Sequence, residues 1–231
     1  MSDNPEVGAP PVAPPPPAYQ PPPTFQPAPS AAQSDMGTFL LIGAIGAFTT
    51  AGVTAMQLLP MAKWMGRSGA GAMLIAIAVL GLAGLIGMGI GMLGYARKTN
   101  VPIAKAAGIM LFILAAFALL PVLAQSARSR TLMKVIMYGS PFISAVVWTL
   151  VGQAMLGARS LLGGPAAAIG WVLMATAGID IVLFVMGVSG GIRSRSMVEI
   201  AQTLLYVSIA SRMLAIGGVG AMLLQARSLR T

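Results

Sequence analysis

The sequence predicts an all-α integral membrane protein: a six-helix transmembrane bundle behind a disordered, proline-rich N-terminal tail, with a candidate 3+3 inverted repeat inside the bundle. Three observations carry that expectation. Only 8% of the 231 residues are charged and 57% are hydrophobic, with a mean hydropathy of +0.85. Soluble domains carry about 25% charged residues, so this chain has too few to cover a water-facing surface. Six apolar runs of 24 to 29 residues then follow residue 37, each enough to cross a ~30 Å hydrocarbon core with some tilt. Finally, twelve of the seventeen prolines fall within residues 1–36.

The tail, residues 1–36, cannot build a core and is expected to be flexible and largely polyproline II. Its Pro16-Pro17-Ala18-Tyr19 matches the PPxY pattern that WW domains bind. Proline tracts match such patterns by chance, so a spacer or tether is the favoured reading. There is no positively charged segment before the first apolar run, so a cleavable signal peptide is not expected. With no cysteine, thiol lipidation is excluded.

Residues 37–231 form the membrane domain, with spans expected at about 38–62, 69–96, 102–125, 133–158, 166–191 and 197–225. The first run holds Thr49, Thr50, Thr54 and Gln57, with Pro60 near its end and Trp64 beside Lys63 as an interfacial anchor. Ser68 can cap the second run. Asn100 can cap the third, with Pro102 in its first turn. Ser129 or Thr131 can cap the fourth, which contains Pro141 and Gln153. Gly163-Gly164-Pro165 places proline at the start of the fifth, and Ser196-Met-Val-Glu199 reads as a capping box opening the sixth. Internal Pro60, Pro121 and Pro141 each free a carbonyl and can kink their helices. Trp148 and Trp171 lie deeper and are expected to pack between helices.

The second run contains GLAGLIGMGIGMLG, residues 81–94, with six glycines in fourteen positions. In water each glycine would cost a helix roughly 1 kcal/mol relative to alanine. On a helical wheel Gly84, Gly87, Gly91 and Gly94 fall within about 80° of one another, with Gly81 at the edge of that stripe. Gly87 and Gly91 form a GxxxG pair, the pattern that lets another helix's backbone approach closely in lipid. The stripe reads as a contact surface for a helix of the same chain or of another.

Lysines and arginines divide seven to six between the two faces of the expected bundle, which decides no orientation. The first span has no basic residue before it and Lys63 and Arg67 after it, which favours the tail outside. A three-helix unit used twice would explain the balance, because an odd unit must insert its second copy upside down. Gln57 and Gln153, Lys63 and Arg159, and Arg97 and Arg193 are 96 residues apart, and QSARSRT at 125–131 resembles QARSLRT at 225–231. Dual-topology insertion and chance matching in an Ala/Gly-rich chain are the alternatives.

The absence of cysteine and histidine removes zinc sites, thiol nucleophiles and Ser-His arrangements. Only five acidic residues exist: Asp3, Glu6, Asp35, Asp180 and Glu199. No catalytic constellation can be assembled from these, so an enzyme is not expected. Asp180 and Arg212 sit near the middles of the fifth and sixth runs, where charge is expensive and defaults to a functional reading with a named partner. Counted from the turn near residue 194, their depths differ by about 6 Å at 1.5 Å per residue, within reach of an arginine. An ion pair is predicted, as a gate or relay, or as a neutralised pair that sets helix register; the second is favoured. Gln57 and Gln153 are the other intramembrane polar positions, with interhelical hydrogen bonds expected there and at the threonines. Met88 and Met92 lie one turn apart, but without cysteine or histidine, packing is a better reading than Cu(I) binding.

No cofactor or metal is called for. The basic residues sit between apolar runs and suit a lipid bilayer with anionic headgroups rather than nucleic acid. Composition points to a bacterial inner membrane. The favoured function is a structural or interaction subunit, a homo-oligomer or partner of another membrane protein, working through close glycine-rich helix packing. The alternative is a small-solute or ion transporter or channel built on the inverted repeat.

Overall fold

A computed structural model describes residues 31–56, 58, 70–126, 130–189 and 195–229. Among these the chain is helical throughout, with no strand. The helices are α1 (Ala31–Met56), α2 (Ala70–Thr99), α3 (Pro102–Ser126), α4 (Arg130–Gly157), the short α5 (Arg159–Leu162), α6 (Gly164–Val188) and α7 (Arg195–Ser228). All but α5 are long and apolar enough to cross a membrane, which supports a polytopic membrane protein. A helix satisfies every backbone group within its own segment, the condition for crossing hydrocarbon.

The ends differ from the sequence expectation where local chemistry allows more helix or requires a stop. α1 begins at Ala31, inside the segment expected to be disordered. The last tail proline is Pro29, and the Ala-Ala-Gln that follows favours helix. Pro16 to Tyr19, Gln57, Pro60, Trp64, Ser68 and Ser129 lie outside the described residues. Asn100 does not open α3. Its φ of +53° is the left-handed conformation that asparagine tolerates, and it ends α2 two residues before Pro102 starts α3. Thr131 lies inside α4, and α7 already includes Arg195, so Ser196 sits within the first turn rather than at its cap. Gly163, with φ +80°, ends α5 at a conformation open to glycine, and Pro165 sits in the first turn of α6.

The six long helices form a closed ring in chain order. Each packs against the next, and α7 returns to α1. All neighbours are antiparallel, as paired positions along each seam show: Gly43 meets Gly91 and Gly46 meets Gly87 on α1·α2, and Gly89 meets Gly108 on α2·α3. Further round, Phe117 meets Gly139 on α3·α4, Gly152 meets Gly170 on α4·α6, Ile169 meets Gly218 on α6·α7, and Ala44 meets Gly220 on α7·α1.

The glycine stripe of α2 faces α1 of the same chain. A Cβ on Gly91 would collide with the Gly43 backbone, and one on Gly87 would lie 3.1 Å from the Gly46 Cα. Gly84 faces Thr50 and Gly94 faces Phe39, while Gly81 at the stripe's edge is only in ordinary contact with Val53. Off the stripe, Gly89 faces α3.

Alternating direction places the start of α1, the α2–α3 and α4–α6 connections and the end of α7 at one end of the ring, here called the tail-side end. The core fills that half. Leu40, Met88, Met92, Tyr95, Leu111, Met155, Leu173 and Leu223 are fully buried there. Lys98, in the last turn of α2, fastens the same end. Its Nζ donates to the carbonyls of Ala226 at 2.8 Å and Leu229 at 2.6 Å, satisfying acceptors that the end of α7 leaves open. Trp148 packs inside, 4% exposed, but Trp171 is 65% exposed on the outer face of α6. The expectation that both tryptophans pack between helices therefore holds for Trp148 only, because position 171 falls on the outward face of α6.

Gly91→Ala should destabilise the fold by about 1–3 kcal/mol, the typical cost of forcing atoms into a filled contact. Gly178→Ala, where a Cβ meets nothing within 4 Å, should be neutral or stabilising by up to about 1 kcal/mol. Thermal unfolding of the two variants in one detergent compares them directly. Equal melting temperatures would show that the α1·α2 approach is not limiting.

Candidate functional site

Opposite the packed half, all six long helices line an open cavity of about 770 Å³. Its polar positions are Thr50 and Thr54 on α1, Ser140 and Ser144 on α4, Asp180 on α6 and Arg212 on α7. α2 and α3 contribute apolar wall, including Leu85 and Phe117. Trp148 belongs to both the cavity wall and the core, marking where one passes into the other. A largely apolar cavity of this size with a few converging polar groups has the character of a small-molecule site.

The structure brings Asp180 and Arg212 together. Arg212 Nη2 donates to Asp180 Oδ2, and the side chains are only 16% and 17% exposed. Ser208 completes the cluster. Its hydroxyl donates to Asp180 Oδ1 at 2.9 Å and accepts from Arg212 Nη2 at 3.3 Å. Both carboxylate oxygens are thereby occupied, as a charge held away from water requires. Arg212 Nε is buried without a hydrogen-bond partner among the described residues, so the guanidinium is not fully compensated. Ser208 was not singled out from the sequence. The available signal was its place one turn before Arg212 on the same helix face, an i, i+4 relation.

Other expected site positions behave differently. The threonines do not bond between helices. Thr49, Thr50 and Thr54 donate to the carbonyls of Ile45, Gly46 and Thr50 at 2.8–2.9 Å, because a helical threonine has its own preceding turn within reach. Thr50 and Thr54 are part of the cavity wall, with the Thr50 hydroxyl lying against Gly84 of α2. Gln153 is exposed on α4 and is not part of the cavity wall. Met88 and Met92 are spent on core packing. Pro141 lies inside α4 and lines the cavity between Ser140 and Ser144, where its missing N–H leaves the preceding turn one hydrogen bond short.

Removing one member of the charge cluster strands the other. Arg212→Met should destabilise by about 3–5 kcal/mol, while Arg212→Met combined with Asp180→Asn should recover most of that loss. Thermal unfolding across this double-mutant cycle reads the coupling, and additive losses would show the pair to be unimportant for the fold. Comparisons with protein-family models, with curated proteins and with solved structures found no match.

Proposed function

We propose that this chain is a membrane transporter or channel that admits a small solute into the cavity inside its helix ring. The single observation that carries this reading is the cavity itself. It is bordered by all six long helices, confined to one half of the ring, and has the Asp180–Arg212–Ser208 cluster in its wall. A site near mid-depth, packed shut on one side, is the geometry expected of one state of an alternating-access carrier. The walls suit a small organic solute with an apolar body and a polar or zwitterionic end. If the tail is outside, the cavity belongs to the cytoplasmic half. No covalent chemistry is part of this proposal.

The alternative, an interaction subunit, draws on the small-residue faces and on the tail as a tether; α1 of the same chain occupies the glycine stripe of α2, so that face serves packing within the ring.

The chain has no native cysteine, so single cysteines can report access without background. In oriented vesicles Ser144→Cys should react with a membrane-impermeant thiol reagent from one side only. Ala154→Cys, in the packed half, should react at least about tenfold more slowly, since reaction needs an accessible thiolate. A solute that protects Ser144→Cys should cross liposomes containing the wild-type chain, and Asp180→Asn should abolish that flux. Ser144→Cys unreactive from both sides would overturn the proposal.

A further inference from the structure

A second cavity, of about 510 Å³, lies outside the ring's interior, where α2 ends and α3 begins. Its rim carries Arg97 and Lys105, both exposed, with Asn100 beside them. Leu93, Val101 and Ile109 form apolar wall running from the rim along the two helices. Among the described residues no acidic side chain lines it. The adjacent Lys98 is committed to the carbonyls at the end of α7, so Arg97 and Lys105 are the cations free to face a ligand. Both sit beside the turn at residues 100–101, where a membrane span meets the headgroup layer.

We propose that this groove binds one anionic phospholipid, with the phosphate between Arg97 and Lys105 and an acyl chain against Leu93 and Ile109. The charge pattern selects the occupant. Two cations with no neighbouring acid call for an anion, and basic pockets between membrane helices are suited to lipid phosphates. Guanidinium matches phosphate in a two-pronged way, and ammonium adds a point charge. The start of α3 contributes the positive end of its dipole at the same edge. The apolar wall below the cations distinguishes a lipid from free phosphate, because inorganic phosphate has nothing to place there. This inference rests on the reading of the long helices as membrane spans, but not on the solute cavity.

The test uses the full chain in nanodiscs of equimolar phosphatidylglycerol and phosphatidylcholine, with retained lipids identified by native mass spectrometry. The wild-type chain should retain phosphatidylglycerol preferentially. Lys105→Gln should reduce that preference about fivefold, and Arg97→Gln with Lys105→Gln about twenty-fivefold, as expected for about 1 kcal/mol of attraction per basic residue. Arg159→Gln, exposed at the same end but outside the groove, should leave the preference intact. If the double variant does not fold, Lys105→Gln alone still reads the site. An unchanged preference in Lys105→Gln, or an equal loss in Arg159→Gln, would overturn the proposal. Displacement of the lipid by millimolar inorganic phosphate would reassign the groove to a free anion and equally overturn it. A chain that does not enter nanodiscs at all would instead refute the membrane reading beneath the proposal.

Discussion

The backbone of α1 lies against α2 with no side chain between them at Gly43–Gly91 and Gly46–Gly87. Between helices in lipid, burial of apolar surface supplies little attraction, because the acyl chains are as apolar as leucine. What remains is van der Waals contact, which depends steeply on separation. Glycine at facing positions lets two backbones approach more closely than any other residue allows. α1 then presents its other side to α7, where Gly220 lies against Ala44 and Ala47, and this contact closes the ring. The glycines that weaken an isolated helix are therefore the condition for joining the first span to the last.

Among the described residues, backbone contacts at Gly43–Gly91 and Gly152–Gly170 lie in the tail-side half, and the α1·α2 approach continues through Gly84 against Thr50 to the edge of the cavity. In the tail-side half, Gly152 meets the Gly170 backbone and Gly218 takes up the Ile169 side chain, and the largest fully buried side chains gather there. In the other half the facing residues include Leu82, Phe117, Leu183 and Phe184, and six helices in a ring cannot all converge on one axis with side chains of that size. Space is left, and the few polar side chains of the spans collect around it.

The Asp180–Arg212–Ser208 cluster stands at this boundary. Charge within a span is costly unless paired, and here the carboxylate has a partner for each oxygen. The pair ties α6 to α7 at the wall of the cavity.

Much of this was legible in the residues alone. Apolar length gave six spans, because hydrocarbon thickness and helix rise are both constants. The depth of Asp180 and of Arg212 followed from counting residues through one tight turn, so their meeting could be anticipated. The glycine stripe followed from helical periodicity. Cap positions were less legible: Asn100 is as good a helix stop as a helix start, and its φ decides between them. Thr50 and Thr54 were polar groups whose partners could be either local or distant, and the nearer carbonyl won. What the sequence by itself determined was the six long apolar helices, the small-residue face of α2 and the depth of Asp180 and Arg212 within their helices. Only the tertiary structure decided that α1 occupies the glycine stripe, that α7 closes on α1, that Lys98 holds the end of α7, and that one half of the ring is packed while the other holds a cavity. The reason is physical. Periodicity and span length are local properties of a chain, whereas six apolar helices of similar surface can be arranged in many ways, and the choice among them rests on shape complementarity between residues far apart in sequence.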